Sequence, residues 1–252
     1  MISERSFASS FLGFWTELLP MLTPSFIHMI NEGYKKRLAD ECGEPIKDVT
    51  KNLKTGSFSL IAEFAFFLAK TSIEEKLSVE KVFNNKKYCE FAERSALDEI
   101  TKYEGRKVSF RSRLVLPELR EGLALAKNYQ RFFEARGKDK RIEFAPIIQG
   151  AGFLSICQAD ISIEDALFEI KTVDRNLAGK DIRQLLIYLA LQEATGKKRW
   201  LMGGFFNPRK AIYHEFEVDE IIPRMSGKSS SEVFQDIIDF VCTRDIQIDM
   251  VF

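Results

Sequence analysis

The chain is poor in the residues that build the commonest metal and redox sites. It has only two histidines, His28 and His214, isolated from one another, and neither is assigned catalytic work. Its four cysteines, Cys42, Cys89, Cys157 and Cys242, stand singly. Without a Cys-x-x-Cys spacing they point to neither a zinc site nor an iron–sulfur cluster. Without a secretory segment they fit free thiols in a reducing cytoplasm, which is the expected location. Net charge is missing as well: Lys plus Arg and Asp plus Glu each number 37. The field of the whole protein therefore draws in no nucleic acid, and any basic surface must be local. What remains, 45% hydrophobic and 29% charged residues without repeats or low-complexity tracts, excludes a disordered chain.

A long uninterrupted hydrophobic run is also lacking. The nearest approach, residues 11 to 30, is broken by Glu17, Pro20, Pro24 and His28, and no small-residue cleavage pattern follows a basic start. It therefore reads as neither a membrane span nor a leader. We read it as one or two helices broken near Pro20 and Pro24, with Thr23-Pro24 as cap and first turn of a helix running to about Ala39. A polar connection from Glu41 to Gly56 leads to a second apolar run, Phe58 to Leu68, in which Phe58, Phe64, Phe66 and Phe67 surround a lone Glu63. That run is too short for a bilayer and reads as a core helix. The two Phe-rich stretches are expected to pack on each other; the alternative is an exposed patch for a partner protein or a second copy. Residues 72 to 105 read as charged helix, with Ser78 and Ser95 as caps and Tyr103 to Gly105 as the stop. The stretch from 86 to 113 is locally basic, but interleaved acids favour a solvated face, with phosphate contact an alternative around Arg106 to Arg113. Gly227-Lys228-Ser229 is like the end of a phosphate-binding loop, but Ile222 stands where the leading glycine belongs, so no ATP motor is visible.

The chain is organised around residues 157 to 191. From Cys157 to Val173 the residues alternate like two half-buried strands with Glu164-Asp165 between them, a β-hairpin by pattern. A turn centred there sets Asp160 opposite Glu169 and Gln158 opposite Lys171. Facing carboxylates in a sheet, with Cβ atoms roughly 4.5–5.5 Å apart, cost a few tenths to about 1 kcal/mol. A shared divalent cation removes that cost, and Mg²⁺ characteristically takes one or two carboxylates, waters and substrate phosphates. Lys171 adds a fixed positive charge on the same face. A metal that activates water beside a cation that stabilises developing negative charge are the parts that phosphodiester hydrolysis needs. The plainer reading of these charges is the wet face of a strand. Downstream, Gln184 and Tyr188 lie four apart and share one face of a helix. The polar segment from Asp174 to Lys180 falls at the mouth of this arrangement. Arg175, Lys180 and Arg183 there either meet a phosphate backbone or are simply solvated.

Asp160, Glu169-Ile170-Lys171 and Gln184-Leu-Leu-Ile-Tyr188 together resemble the PD-(D/E)XK nuclease superfamily, in its RecB-like branch with a Gln-x-x-x-Tyr motif. The resemblance covers roughly residues 118 to 217; Ala159 replaces the Pro of the family's name. It implies that Asp160, Glu169 and the Ile170 carbonyl bind Mg²⁺ (or Mn²⁺), that Lys171 acts in catalysis, and that Gln184 and Tyr188 face the nucleic acid. It also implies a further acid on the first core helix, read over Leu119 to Ala135 with Gly137 as its stop; Glu121 is the candidate and Glu118 the runner-up.

The expected fold is α/β: a restriction-endonuclease-like core over 114–252, with a mixed central β-sheet flanked by helices, preceded by a mainly helical N-terminal region over 1–113. Strands are expected at about 142–148, in the hairpin, and at about 199–206 and 211–218 around an Asn207-Pro208-Arg209 turn. Ser229 to Ser231 should cap a last helix to Cys242. The expected function is a Mg²⁺-dependent deoxyribonuclease acting in restriction, phage defence or DNA repair. Asp160→Ala, Glu169→Ala or Lys171→Ala should each abolish cleavage and leave the fold intact. The competing expectation is a non-catalytic nucleic-acid-binding or assembly subunit that docks a partner, or forms a homo-oligomer, through its Phe-rich helices.

Overall fold

A computed structural model of the chain describes residues 1–36, 45–46, 57–104 and 113–243. Cys42 and the basic residues Arg106, Lys107 and Arg111 lie outside this set, as does most of the connection from 41 to 56. The described chain begins with short helices α1 (Glu4–Ser9) and α2 (Leu12–Leu18), followed by α3 (Pro24–Lys36). The break between α2 and α3 falls where the prolines put it, and Thr23 accepts from the Phe26 amide at 3.3 Å. Next come α4 (Ser57–Glu74), α5 (Val79–Asn84) and α6 (Lys86–Glu104). Ser78 caps α5 by accepting from Lys81 N at 3.3 Å. Ser95 caps nothing and lies inside α6, because the apolar positions Ala92, Ala96 and Ile100 run unbroken past it into the core.

A long helix, α7 (Leu116–Arg136), ends at Gly137, whose amide returns to Phe133 O at 2.7 Å. The strand expected over 142–148 is two pieces, β1 (Ile142–Phe144) and β2 (Ile147–Ile148). Ala145 sits at φ +55 ahead of Pro146 and turns the chain between them. Then follow β3 (Cys157–Gln158), β4 (Ile161–Ile163), β5 (Ala166–Ile170), α8 (Gly179–Ala194), β6 (Met202–Asn207) and β7 (Ile212–Glu217). The described part closes with α9 (Val218–Ser226), which no sequence signal had marked, and α10 (Ser230–Thr243). Gly227 at φ +74 ends α9 in the left-handed conformation that glycine adopts freely.

The main sheet runs β1-β4-β5-β6-β7, with β5 and β6 parallel and the other pairs antiparallel. β5 and β6 are joined through α8, as a parallel pair requires. Alternation along β5 and β6 divides the core into two layers. Leu167 and Phe205 face a cluster built with α1, α2, α8, α9 and α10. Phe168 and Phe206 face a second cluster built with α4, α5, α6 and α7. There Phe132 of α7 stacks on Phe206 with ring centroids 4.2 Å apart. A methyl group at Gly122 would overlap the Phe64 ring, so glycine sets how closely α7 approaches α4.

The Phe-rich stretches do not form one body. Phe7, Phe11 and Phe14 pack with Phe153 and Phe240 in the first cluster, and Phe64, Phe66 and Phe67 belong to the second. Each stretch is amphipathic on its own, and the sheet between them offers an apolar face to both. Among the described residues no helix is long and apolar enough to cross a membrane.

Candidate active site

The hairpin turns at Glu164-Asp165, with Glu164 in the left-handed region at φ +54. Its ladder pairs Ile163 with Ala166, Ser162 with Leu167 and Ile161 with Phe168. One step further along that register, Asp160 comes opposite Glu169. The ladder stops there: Cys157 and Gln158 pair with β2 in a separate two-stranded sheet, so Gln158 does not stand opposite Lys171. The chain changes sheets at Ala159-Asp160. That bend turns Asp160 toward the second strand, where its Oδ2 accepts the Ile170 amide at 2.6 Å.

Glu169 shares the Leu167 face of β5 and is 1% exposed. Its Oε1 accepts from Lys171 Nζ at 2.8 Å, while Oε2 is buried with no hydrogen-bond partner. Lys171 Nζ also donates to Gln184 Oε1 at 3.0 Å and stands 3.5 Å from Asp181 Oδ1. Gln184 passes the chain on, its Nε2 donating to Tyr188 Oη at 2.9 Å, and Tyr188 Oη donates to Glu4 Oε1 at 3.2 Å. Five side chains thus connect β5, α8 and α1. Asp181, three residues ahead of Gln184, holds Arg175 in a two-pronged pair at 2.6 and 2.9 Å and accepts the Ala178 amide at 2.8 Å, capping its own helix.

The electrostatics follow from these contacts. Burial and then the neighbouring Glu169 push the Asp160 carboxyl well above the usual aspartate range, against the pull of the Ile170 amide, Lys171 and Arg5. Burial works against the Lys171 ammonium, yet Glu169, Asp181 and Asp160 outweigh it and raise its pKa. Burial opposes the charge on Asp181 too, but the Arg175 hydrogen bond, Lys171 and the Ala178 amide hold it below the ordinary range. Burial, with Glu169 and Glu4, drives the Tyr188 phenol upward, so it stays neutral and donates.

Asp160, Glu169, Ile170, Lys171 and Gln184 all line one cleft of about 710 Å³, and Arg175 and Lys180 stand in its wall. Two of the expected contacts lie elsewhere. Tyr188 is 1% exposed and braces the site from behind. Arg183 points to the N-terminal helices, donating to Ala8 O at 3.3 Å and lying 5.8 Å over the Trp15 ring.

Neither candidate for a further acid lines the cleft. Glu118 folds back to accept the Val115 amide at 2.8 Å, and Glu121 is buried against Arg209 at 2.5 Å. Further acids that line the cleft come instead from the N-terminal part: Glu4 of α1, Glu63 of α4 and Glu99 of α6. Burial, and secondarily Glu99, pushes Glu63 up to about 7. No local signal in the sequence marks these three, because their role depends on contacts across the fold. Asp181 was within reach, as an acid in the first turn of a helix that already carried Gln184.

The donor set suits a hard divalent cation of the open kind: two adjacent carboxylates, one with an orphaned buried oxygen, in a cleft with room for water and a phosphate. Among the described residues no group of three or more His, Cys, Asp or Glu side chains is placed to hold a metal ion. No family model matches this sequence, and no curated protein matches it.

Proposed function

We propose that this protein is a divalent-metal-dependent nuclease that hydrolyses phosphodiester bonds of DNA, with a restriction-endonuclease-like core of the kind found in the PD-(D/E)XK superfamily. The observation that carries this reading is that the hairpin register sets Asp160 opposite Glu169, with one Glu169 oxygen unpartnered and Lys171 fixed beside it. Two carboxylates and a buried ammonium in an open cleft are costly to maintain for structure alone, and such clusters concentrate where chemistry is done.

Asp160, Glu169 Oε2 and the Ile170 carbonyl would hold Mg²⁺ or Mn²⁺. When bound, the ion supplies polarisation of the phosphoryl oxygen and a lowered pKa for a coordinated water. Lys171, its Nζ steered by Glu169, Gln184 and Asp181, orients the attacking water and stabilises negative charge on the phosphoryl oxygens. Water adds across one P–O bond: its oxygen joins phosphorus, and its proton ends on the departing oxygen. Arg175 and Lys180 at the cleft wall meet the flanking phosphates. Restriction, phage defence and repair are roles that such chemistry serves.

The test is degradation of linear duplex, circular duplex and single-stranded DNA by the purified chain with Mg²⁺ or Mn²⁺. Cleavage that stops with chelator and is lost in Glu169→Gln supports the reading. Activity that persists in Glu169→Gln contradicts it.

A further inference from the structure

Arg5 occupies a position that the reading above leaves unused. It lines the cleft from α1, with its side chain 63% exposed, 3.7 Å from Glu4 Oε1. A six-residue helix does not hold its shape alone, so α1 is fixed by what surrounds it. Ser3 caps it, accepting from Ser6 N at 3.1 Å, and Ile2 N donates to Phe153 O at 2.9 Å while Ser155 N donates to Ile2 O at 3.0 Å. Phe7, fully buried, packs within about 6 Å, centroid to centroid, of the rings of Phe11, Phe14, Trp15, Phe153 and Phe240. The Tyr188 to Glu4 hydrogen bond then ties the helix to the site itself. The backbone at Arg5 is held rigidly, while its long side chain remains in the open cleft.

The charges around it come from four separate elements. Glu4 lies on α1, Glu63 on α4, Asp160 ahead of β4 and Glu169 on β5, and the Arg5 guanidinium acts on each of them. Two other cations of the cleft are held close to carboxylates, Lys171 to Glu169 at 2.8 Å and Arg175 to Asp181 at 2.6 Å, and Arg5 itself lies 3.7 Å from Glu4. A divalent ion on Asp160 and Glu169 would cancel the field that draws Arg5 toward the dyad and leave an excess of positive charge. A phosphodiester supplies the matching negative charge, and a planar guanidinium is suited to grip two of its oxygens together.

We infer that Arg5 binds the non-bridging oxygens of the phosphate at the cleft, making α1 part of the substrate-binding surface. This rests on the nuclease reading for the identity of the phosphate as a nucleic-acid diester.

The experiment uses the full chain and its Arg5→Gln and Arg5→Lys variants, with a fluorescein-labelled DNA oligonucleotide and Ca²⁺ in place of Mg²⁺. Anisotropy across a salt series gives affinity and its salt dependence, and Mn²⁺ affinity is measured in parallel. Arg5→Gln should weaken DNA binding about tenfold and lower the slope of log affinity against log salt by about one contact. Arg5→Lys should recover part of the affinity. Mn²⁺ should bind Arg5→Gln at least as tightly as wild type, because a neighbouring cation has been removed; a merely structural Arg5 would loosen the site and weaken the metal. Unchanged affinity and slope in Arg5→Gln overturn the inference, and if that variant still cleaves with Mg²⁺ the nuclease reading stands. If wild type never cleaves but the slope still falls in Arg5→Gln, the phosphate contact holds and the nuclease reading fails. No salt-dependent binding by wild type overturns both.

Discussion

Tyr188 and Glu4, 184 positions apart in the chain, meet in a hydrogen bond of 3.2 Å. Through it, the helix that carries Gln184 and the helix that carries Arg5 are held in one arrangement around the cleft. Tyr188 is thus a brace between elements, and its hydroxyl is engaged on both sides, by Gln184 and by Glu4.

Tyr188→Phe keeps the ring in its packed site and removes only the hydroxyl. A hydrogen bond to a charged partner is worth about 1.5–3 kcal/mol, so cleavage should fall by at least about tenfold. Amide hydrogen exchange should rise over residues 4–9. Wild-type exchange in that segment would show that Tyr188 does not anchor α1.

Lys171→Met tests how the buried charges balance. The Lys171 and Glu169 side chains are 14% and 2% exposed, and removing the ammonium takes away the cation hydrogen-bonded to Glu169, next to Asp160. Breaking such a pair costs about 3 kcal/mol or more. The expectation that Lys171 substitutions spare the fold is therefore revised: the denaturant midpoint should drop in chelator and recover in part with Mg²⁺, while cleavage stays lost. Equal midpoints for variant and wild type in chelator would mean that the pair carries little stability.

Asp160→Asn should stabilise the metal-free protein at neutral pH. The folded-state pKa of Asp160 is raised, so between the unfolded value of about 3.9 and the folded value the native state binds the extra proton. Its contribution to stability is full below the unfolded value and is lost as pH rises through the folded one. The asparagine variant, which cannot ionise, should melt higher than wild type at pH 8 in chelator, and the gap should close toward pH 4. A lower melting temperature for the variant at pH 8 would contradict the assignment.

Glu121→Gln separates structure from metal binding. Glu121 and Arg209 are 0% and 5% exposed and paired to each other, so the substitution should destabilise the protein by about 3 kcal/mol and leave Mn²⁺ affinity unchanged in the folded protein. Loss of Mn²⁺ affinity by a variant that is still folded would return Glu121 to the list of ligands.

The legible parts of this protein were those governed by local pattern. Alternation on either side of Glu164-Asp165 gave the hairpin register that sets Asp160 opposite Glu169, and helical spacing put Gln184 and Tyr188 on one face. Proline and glycine marked the break between α2 and α3 and the end of α7. The unreadable parts depend on where the chain goes next in space. The strand pairs β2 before Asp160 and β5 after it, a change of partner with no signature in residue type. Arg5, Glu4 and Glu63 reach the cleft from helices more than 90 residues away in sequence. Glu121 faces Arg209 because α7 packs against the β6–β7 turn, where Asn207 Oδ1 accepts from both the Arg209 and the Lys210 amide at 3.0 Å. Periodicity shows which face of a helix is buried, not which acid on it meets a cation.

The most direct test of the central claim is calorimetric titration of Mn²⁺ into the wild-type chain, Asp160→Asn and Glu169→Gln, with folding checked by circular dichroism. The account predicts saturable binding in wild type and its loss in both folded variants. Equal Mn²⁺ binding by all three would contradict it, because the two carboxylates would then share no ion.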